Sequence, residues 1–177
     1  MAHTLFLGMT ESGKTTLAKM LARQYKKKGI GILVLDPLRD PGWDADFITD
    51  DPDEFIKVFF GSRRCMVFID EAGENVGRFD TAMVKTATKG RHWGHSVNYL
   101  TQRATLVSLT VRDQCRNLHL FASGFKDCKM LENEFNSPDL LNAPGLKVGE
   151  FYSTSKHGDT VKYALDFKHD TIVRAIQ

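Results

Sequence analysis

Leu5-Phe6-Leu7-Gly8-Met9-Thr10-Glu11-Ser12-Gly13-Lys14-Thr15-Thr16 decides how the rest of the chain is read. Gly8, Gly13, Lys14 and Thr15 satisfy G-x-x-x-x-G-K-[ST], and the run stands between an apolar segment and an amphipathic one, where a phosphate-binding loop joins a strand to a helix. In that setting the backbone N–H groups and the positive end of the helix surround a triphosphate. Lys14 adds a mobile positive charge and Thr15 a hydroxyl for Mg²⁺. The cofactors expected are therefore ATP and Mg²⁺, held by the loop from Gly8 through Met9, Thr10, Glu11, Ser12, Gly13, Lys14 and Thr15 to Thr16. Glu11 stands where glycine-rich versions of the loop carry glycine. A carboxylate facing phosphate is repelled, so Glu11 is expected to point into solvent.

Working outward, His3 to Leu7 predicts a strand feeding the loop. Leu17, Met20, Leu21 and Tyr25 share one face of a helix predicted over Lys14 to Lys28, with lysines in its last turn and Gly29 as its stop. Ile30 to Asp36 reads as a second strand. It is apolar without alternation, as in a parallel sheet covered on both faces. Beyond it Pro37, Pro41, Gly42 and Pro52, with Trp43 and Phe47 among acids, predict an irregular loop, after which Asp51 or Asp53 caps a helix ending at Phe60.

Cys65 to Asp70 reads as the third strand, closing on the adjacent acids Asp70 and Glu71. An apolar strand ending in Asp-Glu downstream of a phosphate loop is the Walker B pattern. Asp70 can hold Mg²⁺ through water, and Glu71, differently directed, can orient or deprotonate the attacking water. A kinase activates no water, so the second carboxylate favours hydrolysis. A helix is predicted over Phe79 to Lys89 and a fourth strand over Ser96 to Thr101, followed by Gln102 and Arg103. Ligands in open α/β sheets gather at the carboxyl ends of strands, which puts Gln102 beside Asp70, near the γ-phosphate. His92 and His95 form an H-x-x-H pair, but no third ligand nearby completes a zinc site.

A short helix from Thr105 to Cys115 carries Arg112, with Arg116 just after it. Leu118 to Ser123 reads as a fifth strand, Lys126 to Phe135 as helical, Pro138 to Pro144 as loop, and Val148 to Ser153 with Val161 to Phe167 as a hairpin. No repeat, linker or low-complexity segment divides the chain. The expectation is one P-loop NTPase domain over residues 1–177, a three-layer αβα sandwich of the RecA/ASCE type with a mainly parallel central sheet and a C-terminal β-hairpin.

The 177 residues are 42% hydrophobic and 26% charged, ordinary for a globular protein, and no apolar run approaches membrane-spanning length. No signal peptide opens the chain, and three cysteines without a C-x-x-C pair suit a reducing cytoplasm. The net charge of +2 conceals an asymmetry. Asp36, Asp40, Asp44, Asp46, Asp50, Asp51, Asp53 and Glu54 face the single Arg39. By contrast, residues 85–129 carry Lys85, Lys89, Arg91, Arg103, Arg112, Arg116, Lys126 and Lys129 against Asp113 and Asp127. Such a basic stretch is either solvated surface or a surface for a polyanion.

Together, the loop from Gly8 to Thr15, Ile69-Asp70-Glu71-Ala72, Arg91 with Gly94, and Thr101-Gln102-Arg103 resemble the FtsK/HerA superfamily of ring-forming P-loop translocases. Within it they look most like the small genome-packaging ATPases of tailless, membrane-containing double-stranded DNA viruses. The resemblance covers residues 3–124. It implies an ATPase that moves double-stranded DNA without regard to sequence as a homo-oligomeric ring, with a hexamer expected. Its setting would be the host cytoplasm or the virion packaging vertex, beside other vertex or membrane-associated virion proteins. Gln102 falls where the family senses the γ-phosphate. Arg91 best matches the arginine placed against a neighbour's nucleotide, with Arg112 and Arg116 as rivals. Arg78, Lys85 and Lys89, between the catalytic acids and Gln102, are candidate DNA contacts. The alternatives are a small-molecule kinase using the Arg112–Arg116 helix as a lid, and a nucleotide-gated assembly factor that does not turn over.

Overall fold

The computed structural model describes residues 2–70 and 78–175, with residues 78–80 and 82 described by their backbone. Strand β1 is His3–Leu7, helix α1 Lys14–Lys27, β2 Ile32–Leu35, β3 Phe47–Thr49, α2 Pro52–Gly61 and β4 Met66–Ile69. Then follow α3 Arg78–Lys89, β5 Ser96–Thr101, α4 Leu109–Gln114, β6 Cys115–Leu120, α5 Phe125–Phe135, β7 Glu150–Ser155, β8 Val161–Asp166 and β9 Thr171–Arg174. One nine-stranded sheet runs in the order β3-β2-β4-β5-β1-β6-β7-β8-β9. The first six positions pair in parallel and the last three antiparallel.

The alternation of side chains along β1 distributes the core. Leu5 and Leu7 face a cluster with Phe55 and Phe59 of α2, Met83 and Ala87 of α3, Val111 of α4 and Leu131 of α5. Phe6 faces the other side, where Leu17 and Met20 of α1 pack with Val34, Phe68, Leu100 and Phe121. Both faces of the central strands are thus covered, which is why they read as unbroken apolar runs.

Three parts of the expected fold are corrected. The acidic loop contains strand β3, paired in parallel with β2, where a loop was expected. The fifth predicted strand begins at Cys115, three residues before Leu118, because β1 pairs with Cys115 and Asn117. The hairpin gains a third strand, β9.

Most of the acidic run is used in holding this edge together. Asp36 is buried and accepts from the backbone N–H of Leu38 and Asp40 and from the Trp43 indole. Asp46 accepts from the Ile32 N–H and, with Asp44, pairs with Lys26, while Asp50 pairs with Arg39 and Asp51 caps α2.

His95, half of the H-x-x-H pair, is buried. Its Nδ1 accepts the Cys65 N–H and its Nε2 donates to the Phe59 carbonyl, so both nitrogens serve the fold. His3 is held alike, Nδ1 accepting from Val97 N–H and Nε2 donating to the Ala87 carbonyl, both at 3.1 Å. Burial, and then the nearby Arg91, lower its pKa to about 4. His119, partly reached by solvent but with its ring enclosed between Phe6 and Phe151, is lowered by burial to about 4 as well. The unfolded chain takes up these protons near pH 6.5 and the folded chain only near 4, so stability is full above about 6.5 and falls as pH drops through that window. Each histidine is expected to remove about 1.4 kcal/mol per pH unit there. Urea midpoints should fall between pH 7 and 5.5, and identical midpoints would refute the assignment.

Candidate functional site

The apolar strand β1 delivers the phosphate loop to the carboxyl edge of the sheet, and the neighbours of β1 hold the loop in place. Gly8 N–H donates to the Thr101 carbonyl at the end of β5, and Met9 N–H to the Ala122 carbonyl just beyond β6. A Cβ at Gly8 would lie 2.6 Å from the Phe121 Cβ and 2.7 Å from Ser12 Oγ, so the approach excludes any other residue. Glu11 adopts φ 60° and is exposed at the rim, which gives the reason for glycine in related loops: the left-handed conformation costs a residue with a Cβ about 1 kcal/mol. Gly13, at φ 110°, opens α1. No side chain caps that helix and no acid stands in its first turn, so its N–H groups and positive end are left for a ligand.

Lys14 is buried, with Nζ 2.7 Å from the Gly8 carbonyl and 2.9 Å from that of Met9. The ammonium is therefore curled over the loop it would serve. Thr15 Oγ1 donates to Asp70 Oδ2 at 3.0 Å. This contact brings the hydroxyl and the strand-ending carboxylate, fifty-five residues apart in sequence, to one point. An oxygen pair of this kind suits a hard divalent cation. Among the described residues Ser12 Oγ, which is buried, has no hydrogen-bond partner, a further polar atom inside the loop.

Gln102 follows β5, the strand inserted between β1 and β4, and so stands between the phosphate loop and Asp70. Its Oε1 accepts from Thr10 Oγ1 at 3.0 Å, linking the loop to the end of the central strand. Thr16 lines the same cavity as Glu11, Ser12, Gly13, Lys14 and Thr15. The sequence reading missed that Val148 and Phe167 also line this cavity. Glu71 lies outside the described residues. Arg78 opens α3, and its side chain is outside the description too.

The arginines separate. Arg112 is buried, its Nε donating to Glu134 at 3.0 Å and its Nη1 to the carbonyls of Ala104 and Val107. These bonds make it a strut between α4 and α5, whereas a role at a neighbour's nucleotide, proposed from the sequence, would require it to leave them. Arg91 stands in a short turn, Gly90–Trp93, before the amino end of β5, and Arg116 is exposed near the start of β6. Both occupy the edge of the sheet opposite the phosphate loop, about 20 Å away by the length of β5. Arg91 donates to the Gln114 carbonyl and shares an open cavity of about 490 Å³ with Arg63, Arg64, His92 and Trp93. Lys85 and Lys89 are exposed along α3, which ends beside this cavity.

No protein-family model and no curated protein sequence matches the chain. Solved structures do. The genome-packaging NTPase B204 of Sulfolobus turreted icosahedral virus 2, in complex with AMPPCP, superposes with a TM-score of 0.72 at 16% identity, over 99% of this chain and 98% of that one. The conjugation coupling protein TcpA of pCW3, with ATPγS, gives 0.68 at 20% identity over 91% and 59% of the two chains. VirB4 of Thermoanaerobacter pseudethanolicus gives 0.67 at 12% identity over 90% and 88%. The chain thus has the fold of these proteins, a mainly parallel sheet extended on one side by antiparallel strands.

Proposed function

We propose that the chain is an ATP-hydrolysing motor that moves double-stranded DNA, working as a homo-oligomeric ring, a hexamer, that packages a viral genome. The observation carrying this reading is the convergence of Lys14, Thr15, Asp70 and Gln102 at one edge of the sheet. Mg²⁺·ATP supplies the transferable phosphoryl group and the charge that neutralises its oxygens. Lys14 would leave the carbonyls of Gly8 and Met9 for phosphate, and the Thr15 hydroxyl and Asp70 carboxylate would hold the cation. Glu71 takes the proton from the attacking water, and the Gln102 amide reports the phosphate's presence to the Thr10 side of the loop. The kinase alternative is less favoured, because Arg112, one of the two arginines its lid would use, pairs with Glu134.

Lys85 and Lys89, with Arg78 at the head of the same helix, are proposed to touch the DNA backbone. Among the described residues no helix is long and apolar enough to cross a membrane. Attachment to a packaging vertex, through other vertex or membrane-associated virion proteins, is part of the proposal.

The test is ATP hydrolysis with and without long double-stranded DNA. Stimulation without sequence preference is expected. Neutralising Lys85 and Lys89 together should flatten the slope of log affinity against log salt by about 0.9 per lost contact while basal turnover persists. If DNA were inert and a nucleoside or nucleotide became phosphorylated, the kinase reading would take its place.

A further inference from the structure

The phosphate loop is backed by the far end of the chain. Gly149 N–H donates to the Ser12 carbonyl at 2.9 Å, and Leu165 N–H donates to the Gly149 carbonyl at 2.9 Å. A Cβ on Gly13 would lie 3.3 Å from Gly149 Cα, so the two backbones are packed directly against each other. Gly149 itself is at φ 83°, and a Cβ there would come within 2.8 Å of two carbons of the Phe167 ring. The ring therefore lies over a bare backbone position that holds it in place. Its orientation is fixed from the other side by the turn after β8, where Asp166 Oδ1 accepts the N–H groups of Lys168 and His169.

The result is unusual for apolar side chains. Val148 is 67% exposed and Phe167 is 54% exposed, yet both line the cavity formed by the phosphate loop and the first turn of α1. Single exposed hydrophobic residues are common and carry no meaning alone. Here an aromatic ring and an aliphatic branch line the same cavity as the loop that would hold a triphosphate. A nucleobase is the flat, apolar-faced part of a nucleotide, and stacking on an aromatic ring is how proteins hold bases irrespective of their edges.

We infer that Phe167 and Val148 form the nucleobase slot of this site, Phe167 stacking on the base, an assignment that rests on the triphosphate reading of the loop. The grip is on the face of the base, and its strength follows stacking area. The slot accepts the purines of ATP and GTP alike and takes the smaller pyrimidines less well.

Binding of Mg²⁺ complexes of ATP, GTP, CTP and inorganic tripolyphosphate to the full chain, compared with Phe167→Ala and Phe167→Trp, tests the assignment. Loss of base stacking corresponds to roughly 5- to 150-fold in affinity. Phe167→Ala should weaken ATP and GTP by about that factor, narrow their advantage over CTP, and leave tripolyphosphate binding unchanged. Phe167→Trp should restore ATP binding. If ATP and tripolyphosphate weakened equally in Phe167→Ala, the ring would be a support for the loop and the slot would be overturned. Unchanged ATP affinity in Phe167→Ala would overturn it as well, with the triphosphate reading intact. Failure of the unaltered chain to bind either ATP or tripolyphosphate would overturn both.

Discussion

Arg91→Ala is expected to lower ATP turnover by about a thousandfold or more, while ATP affinity changes little. Arg91 lies a strand's length from its own phosphate loop, so its guanidinium reaches no phosphate in its own subunit, and its cavity with Arg63 and Arg64 opens outward. In the proposed ring, built by head-to-tail contacts, one subunit would present the edge carrying Arg91 to a neighbour's nucleotide edge, so that each interface would have one of each. Turnover should then rise steeply with protein concentration. Mixing Arg91→Ala with Lys14→Ala should recover part of the activity, at interfaces that pair an intact arginine with an intact loop. Absence of recovery at every mixing ratio, for Arg91 and for Arg116, would rule out a finger acting between subunits.

Lys14→Ala should weaken ATP binding by roughly thirty- to several-thousand-fold, the cost of removing one partner from a buried, hydrogen-bonded charge pair. The thermal shift that ATP gives the unaltered chain should vanish, and the variant's own unfolding transition would show that it still folds. Glu71→Gln should behave oppositely. In the proposed role Glu71 acts on water in the transition state alone, so affinity for Mg²⁺·ATP should be kept and turnover should fall by about 10² to 10⁴. Wild-type turnover in Glu71→Gln would remove that residue from the catalytic role.

Much of this site could be read from local sequence because the relevant residues abut strand ends. His3 to Leu7 and Ser96 to Thr101 are apolar runs closed by Gly8 and by Gln102, and the strands occupy those residues. Strand β3 escaped because Phe47, Ile48 and Thr49 sit among acids. What makes them a strand is the open edge of β2 and the bond from Asp36 N–H to the Thr49 carbonyl, neither of which is local. The start of β6 looked polar because Arg116 and Asn117 lie at the edge of the covered sheet, where a strand needs no apolar face. Arg112 read as a surface cation. Its partner Glu134 is twenty-two residues away on another helix, and only the packing of α4 against α5 reveals the pair. Phe167 had no local signal at all: it is one aromatic residue near a turn. The resemblance to viral packaging ATPases came from the strand-end motifs, and B204 shares the whole fold.

The bond between Ser12 and Gly149 also sets an order of events in the making of the protein. The phosphate loop is synthesised well before the segment that backs it, since Gly149 lies far downstream of Ser12 in the sequence. At ordinary rates of translation the loop waits roughly ten to thirty seconds for its support. Contacts that span so much of the chain form late in folding, because the intervening loop must be closed before they contribute. The loop therefore gains its backing only once the segment around Gly149 has been made and has docked. A fragment ending before Gly149 displays the phosphate motif without the backbone that steadies it. Such a fragment is poorly equipped to load nucleotide.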